Sequence, residues 1–258
     1  MTPMVPWPFL QERTEQNGIF ILCGPSPFEA GYHKVRALEQ RILSDDQVSQ
    51  LPQGTGLWNA HEWRIRARSA DRLARALEKR GQGQRILEVG CGNGWLSALL
   101  QHRGHHVMGI DVFTAELEQA ARVFPSGPVF ARADLFRSPL PSGGFEAIVL
   151  AASIQYFRDP VATLERTLEL LAPGGEVHVL DTIIYPDEAA AGKARLRSDA
   201  YYKSLDVPEM VGHYYAHTLA TFARLGSMKV LSAPRSVDKW LSRLGGNCSP
   251  FSHLVLSR

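Results

Sequence analysis

The sequence predicts an α/β fold: a doubly wound, mostly parallel sheet with helices on both faces and a helical lid in front of it. Three observations carry that prediction. From Arg85 onward short apolar runs alternate with helix-patterned segments, the texture of βαβ units. A glycine-rich turn, Gly90–Cys91–Gly92–Asn93–Gly94, joins the first such strand to its helix. The 258 residues, 45% hydrophobic, are enough for a large single core.

The elements follow in chain order. Residues 1–28 are proline-rich and irregular, with one short strand candidate at 18–24. The N-terminus lacks a basic region followed by an apolar run, so no signal peptide is expected. Residues 30–79 are helical in pattern. Trp63, Ala67, Ala70, Ala74 and Leu77 share one face, and Leu51–Asn59 interrupts the pattern with proline and two glycines. Gly81–Gln84 reads as a hinge. Strands are predicted at 85–90, 106–112, 128–134, 145–151 and 176–182, with helices at 94–103, 114–124 and 159–171. In the last helix Asp159 caps, Pro160 takes the first position and "APGG" terminates, with Val161, Leu164, Leu168 and Leu171 inward. A helical insertion is predicted at about 187–225. Strands at 228–233 and 251–256 follow, separated by a loop containing "GGN". The domain boundaries are thus 1–84 for the lid segment and 85–258 for the ligand-binding domain.

Charge and cysteine content narrow the function. With 28 basic and 26 acidic residues the net charge is +2, too balanced to suggest nucleic acid or an anionic membrane. Three scattered cysteines suggest neither a zinc site nor a disulfide scaffold, and point to a reducing, cytoplasmic setting. No apolar run approaches the length of a membrane span.

The glycine turn is the main chemical signal. Ligands of parallel sheets sit at the carboxyl ends of strands where the winding reverses, and glycines there admit a ligand to the backbone. The dinucleotide pattern wants its third glycine at position 95, which is Trp95. Glu88, two residues before Gly90, would repel a pyrophosphate and attract a cation. It is also costly to bury without a partner. Asp111, 21 residues after Gly90, stands where an acid reaches ribose hydroxyls. Asp134 ends the third strand, at adenine distance. The three acids describe a site for a cationic nucleoside. Each also has a plain structural reading: a strand-to-helix turn, or caps at Asp111 and Asp134. Cys91 beside the turn lacks a basic neighbour and reads as a small filler rather than a nucleophile.

"ILEVGCGNG", "GIDV", "ARADLF", "FEAIVLAASIQYF" and "LLAPGGEVHVLD", in this order and spacing over Arg85–Asp181, resemble the class I S-adenosylmethionine-dependent methyltransferases. The resemblance implies a Rossmann-like seven-stranded sheet and S-adenosyl-L-methionine as cofactor, with S-adenosyl-L-homocysteine as product. It implies that Glu88, Gly90, Cys91, Gly92 and Gly94 face the methionine part. Asp111 would bind the ribose beside Val112, and Asp134 the adenine amine beside Leu135. Ala152 and Ser153 would face the sulfonium and the acceptor, with Gln155 and Tyr156 in the acceptor wall.

Methyl transfer mainly requires alignment, and an O–H or N–H acceptor also needs a base. The segment 198–222 supplies His213 and His217, four apart and on one face if helical, among Tyr201, Tyr202, Tyr214 and Tyr215. Surface or packing roles compete for both histidines. Of Arg64, Arg66 and Arg68, one can pair with the methionine carboxylate, and Trp58 or His61 can close over the site; a solvated charged face is the competing reading. "HRGHH" (102–106) reads as solvated, and no metal site is expected. The expectation is an enzyme methylating a small molecule at O, N or C. The alternatives are a protein or nucleic-acid acceptor, and a cofactor-binding scaffold without turnover.

Overall fold

The computed structural model describes residues 7–223, 228–234 and 249–257. The chain opens with a hairpin, β1 (Glu15–Gln16) and β2 (Ile19–Ile21), followed by helices α1 (Glu29–Leu38), α2 (Asp45–Ser49) and α3 (Ala60–Glu78). The alternating unit comprises β3 (Arg85–Val89), α4 (Trp95–His102), β4 (His106–Asp111), α5 (Thr114–Val123), β5 (Val129–Arg132), β6 (Phe145–Ala151), α6 (Pro160–Leu170) and β7 (Leu171–Thr182). After it come β8 (Ile184–Tyr185), α7 (Glu188–Ser204), β9 (His217–Thr218), α8 (Leu219–Phe222), β10 (Met228–Ser232) and β11 (Ser252–Ser257). The "GGN" loop lies outside the described residues.

Nine strands form the main sheet in the order β1-β2-β5-β4-β3-β6-β7-β11-β10, two more than expected. The extra pair is the N-terminal hairpin. β2 joins β5 in parallel, with Phe20 opposite Ala131 and Ile21 opposite Arg132. Ile19 drives this docking: it is fully buried with Leu117, Ala120 and Phe130. Winding runs outward from β3 through β4 to β5, and the other way from β6 to β7. The reversal therefore falls between β3 and β6, the crevice where ligands of such sheets sit.

α3 packs Trp63, Ala70, Leu73, Ala74 and Leu77 against Ile86, Val107 and Val149 of the sheet. Each large side chain so buried contributes on the order of 2 kcal/mol. Ala67 is only half-buried. In α6, Asp159 Oδ1 accepts from the Val161 and Ala162 amides, both at 3.0 Å. The inward face is turned slightly from the expected one: Leu164 and Leu171 are buried, Val161 and Leu168 half-buried, and Thr163, Thr167 and Leu170 take their place. The threonines fit because their hydroxyls donate to carbonyls within the helix.

Two expectations need correction. The insertion is helical over α7 and the single turn of α8; between them residues 205–218 form turns, a short 3-10 segment at Pro208–Met210 and an extended run that pairs β9 with β8. His213 and His217 therefore do not share a helix face. In "HRGHH", His105 is not solvated: it is 1% exposed, and neither ring nitrogen has a partner. Among the described residues no helix is long and apolar enough to cross a membrane.

Candidate functional site

At the carboxyl edge of the sheet two cavities meet over the glycine turn. One, of about 690 Å³, runs along Asp111, Val112, Asp134, Leu135 and Ser153 and is walled by residues 22–28. The other, of about 400 Å³, contains Glu88, Cys91, Asn93, Gln155 and Asp181, with side chains from α1, α3 and the segment around Tyr214. Gly90, Gly92, Ala152 and Tyr156 belong to both.

The turn has room for nothing but glycine at two points. Gly90 has φ of +75°, and a Cβ there would lie 2.6 Å from Ser153 Cβ. Gly94 has φ of +74°, and its Cβ would meet Phe130 Cζ at 2.5 Å and Ala120 Cβ at 2.8 Å. The missing Cβ atoms thus let the turn pack closely on Ser153, just after β6, and on Phe130 of β5 and Ala120 of α5.

Each acid is held by the local fold. Glu88 is 3% exposed, with Ser97 Oγ donating to its Oε2. Burial, with Asp111 adding repulsion, raises its carboxyl to about 8. Asp111 Oδ2 accepts from the Gly92 amide at 2.9 Å, and its Oδ1 from the Val112 and Phe113 amides at 2.7 and 3.1 Å. Burial and Glu116 nevertheless raise it to about 6. Asp134 Oδ1 accepts from the Phe136 and Arg137 amides, so it does cap its turn. A carboxylate has about four acceptor positions, so these bonds leave both aspartates able to take ligand donors.

The remaining sequence-derived candidates separate by position. Gln155 lines the smaller cavity and is braced by Thr182 Oγ1, which donates to its Oε1 at 2.8 Å. Tyr214 lines the same cavity, as does Tyr202 of α7. Tyr201 stands outside, its hydroxyl donating to Glu39, and Tyr215 serves through its amide, which donates to Gln155 O. His213 packs against Phe28 at a tilt of 48°, ring centroids 4.1 Å apart, at the rim of the larger cavity. His217 is buried outside both cavities with Nε2 3.2 Å from Ile154 O, and burial lowers its pKa. Burial raises the Cys91 thiol well above its ordinary value, away from any nucleophilic role.

Of the three arginines, Arg64 and Arg68 are exposed and Arg66 enters the smaller cavity. Its guanidinium lies 5.3 Å above the Trp63 ring, and among the described residues no ion pair engages it. Trp58 is 61% exposed and donates to Gln40 O rather than closing the site. Sequence reasoning missed Tyr32 and Arg36, which α1 brings over the turn, and Asp181, the penultimate residue of β7. A strand-end position was the available signal for Asp181.

A methyltransferase-domain family model matches residues 60–226. An uncharacterised methyltransferase of Mycobacterium tuberculosis is 35% identical over 104 residues, 40% of this chain and 52% of the relative. A ubiquinone biosynthesis O-methyltransferase of Psychrobacter arcticus is 33% identical over 107 residues, 39% of this chain and 41% of the relative. The chain spans about half the length of the curated relatives it matches. Among solved structures, YcgJ of Bacillus subtilis aligns with a TM-score of 0.58 at 14% identity, covering 74% of this chain and 98% of that one. Magnesium protoporphyrin IX methyltransferase of Synechocystis aligns at 0.57 and 15%, covering 90% and 96%. The match over more than half of the sequence, on a fold those structures share, makes this chain a member of the methyltransferase-domain family.

Proposed function

We propose that the chain binds S-adenosylmethionine along the glycine turn and methylates a small molecule in the cavity beside it. The observation that carries this is the junction of two cavities at Gly90, Gly92 and Ala152: carboxylates line the nucleoside side, and Glu88 with an unpaired Arg66 lines the other. The residues fit the cofactor. Asp111 would take the ribose hydroxyls beside Val112, and Asp134 the adenine amine beside Leu135. Arg66 offers two parallel donors to the methionine carboxylate. Glu88 offers an acceptor to the ammonium, whose charge would favour its ionised form. Bound there, the cofactor supplies an electrophilic methyl group on a positively charged sulfur. The protein's part is to align an acceptor with it and exclude water.

A small acceptor is favoured because the cavity is roofed. Tyr32, Arg41, Leu43, Tyr202, Met210 and Tyr214 come from three separate segments to cover it. The O-methyltransferase named above and a geranyl diphosphate C-methyltransferase of the same fold both act on small molecules by name, which agrees with this reading.

Calorimetric titration tests it. S-Adenosylmethionine or its demethylated product should bind at micromolar concentration, and Asp111→Ala should weaken binding at least about tenfold. Tight NAD binding with no affinity for either sulfur nucleoside would refute the proposal.

A further inference from the structure

Asp181 stands in the smaller cavity without a role in holding the cofactor, and its surroundings are unusual. It is 6% exposed, and its Oδ1 has no hydrogen-bond partner, although a buried acceptor left unpaired is costly. It lines the smaller cavity. It is the penultimate residue of β7, beside β6, where Ala151 pairs with Leu180 and the Ala152 amide donates to Leu180 O at 2.9 Å. Adjacent strands lie about 4.8 Å apart, so Asp181 lines that cavity beside Ala152, one of the residues shared by both cavities. Ala152 and Asp181 also both have positive φ, +54° and +56°, a conformation non-glycine residues seldom hold outside sites that require it.

Resting on the cofactor reading above, we propose that Asp181 faces the methyl group being transferred and receives the proton from an O–H or N–H acceptor. In that step a lone pair of the acceptor O or N forms the new bond to carbon. The carbon–sulfur bond breaks with its electron pair going to sulfur, leaving a neutral thioether, and the acceptor's proton passes to Asp181 Oδ1. Cationic sulfur, neutral acceptor and carboxylate become neutral thioether, methylated product and neutral carboxyl, so atoms and charge balance. The geometry selects Asp181 over the two histidines: His217 lies outside both cavities, and His213 sits on Phe28 at the nucleoside rim. Burial raises the Asp181 carboxyl above its ordinary range, with Ser69 and Arg66 opposing, and that suits proton acceptance. The acceptor class follows: an alcohol, phenol or amine that presents its hydrogen toward β7, rather than a carbon nucleophile.

A cofactor analogue tests this without the acceptor. Sinefungin carries an ammonium-bearing carbon in place of the methylated sulfur, so its N–H donors point where the methyl would leave. Wild-type protein should bind sinefungin at least about tenfold more tightly than S-adenosylhomocysteine. Asp181→Asn should erase that preference, read as the ratio of the two affinities, because any effect passed through Arg66 to the methionine carboxylate is common to both compounds and cancels. Equal affinities in the wild type, or an undiminished preference in Asp181→Asn, would overturn the assignment. The wild-type comparison stands even where the variant does not fold. Failure of the wild type to bind either compound would instead remove the cofactor reading on which the proposal rests.

Discussion

Replacing Glu88 by Gln is expected to stabilise the ligand-free protein at neutral and alkaline pH. The carboxyl rises from an ordinary 4.5 to about 8 in the folded state, chiefly through burial. Below pH 4.5 both folded and unfolded chains carry the proton, and the residue costs nothing. Between pH 4.5 and about 8 the unfolded chain has lost the proton that the folded chain keeps. Stability then falls by about 1.4 kcal/mol for each pH unit, and the full loss above pH 8 is about 5 kcal/mol. Gln is uncharged, has the same shape, and still accepts from Ser97. The variant should therefore gain on the wild type by about 3 kcal/mol between pH 5.5 and pH 8. Urea unfolding of both proteins at those two pH values measures the gain through the shift in midpoint at constant slope. A difference that does not change with pH, or a variant less stable at pH 8, would refute the reasoning.

Gly94→Ala places a methyl group within 2.8 Å of Phe130 and Ala120 at a positive φ, and should cost at least about 2 kcal/mol in urea unfolding. Glu29 holds α1 to the core by accepting from the Thr114 and Ala115 amides at the start of α5, at 2.5 and 3.2 Å. Glu29→Ala should cost about 1 kcal/mol and speed proteolytic cutting within residues 22–44, as read by mass spectrometry of limited digests. His178 and His253, buried with ring nitrogens 3.1 Å apart, are both held neutral by desolvation, well below the ordinary 6.5. Their contribution is complete above pH 6.5 and is lost as pH falls, so thermal unfolding should drop from pH 6.5 toward 5. A His178→Gln, His253→Gln double variant should flatten that limb.

The central part of the fold was legible because its signals are local. Every strand from Arg85 to Thr182 announces itself by a short apolar run, and Asp159–Pro160 marks a helix start within three residues. The hairpin's place in the sheet was not legible. "GIFIL" reads as a strand, but its partner β5 lies more than a hundred residues away and no local pattern names it. The insertion misled for the opposite reason. Tyrosine and histidine at spacings of four suggest a helix, yet contacts with Gln155 and Ile154 hold residues 213–217 extended. In the site, Glu88, Asp111 and Asp134 were visible as acids at strand ends. Arg36 and Tyr32 were not, since their position depends on how α1 folds back over the sheet. Arg66 could be narrowed only to one of three, because which face α3 buries decides which arginine enters the cavity.

The wall of the larger cavity hangs from the sheet's edge. The Leu22 amide donates to Arg132 O at 2.9 Å, and Arg132 Nε donates to Cys23 O at 3.1 Å, a link across 109 positions of sequence. On a ribosome adding about 5–20 residues per second, the segment that walls the cavity waits about 5 to 20 s for the strand it docks on. A segment made before β5 thus finds its place only after β5 has been made. A nascent chain released before β5 emerges would possess neither the wall nor the site it encloses.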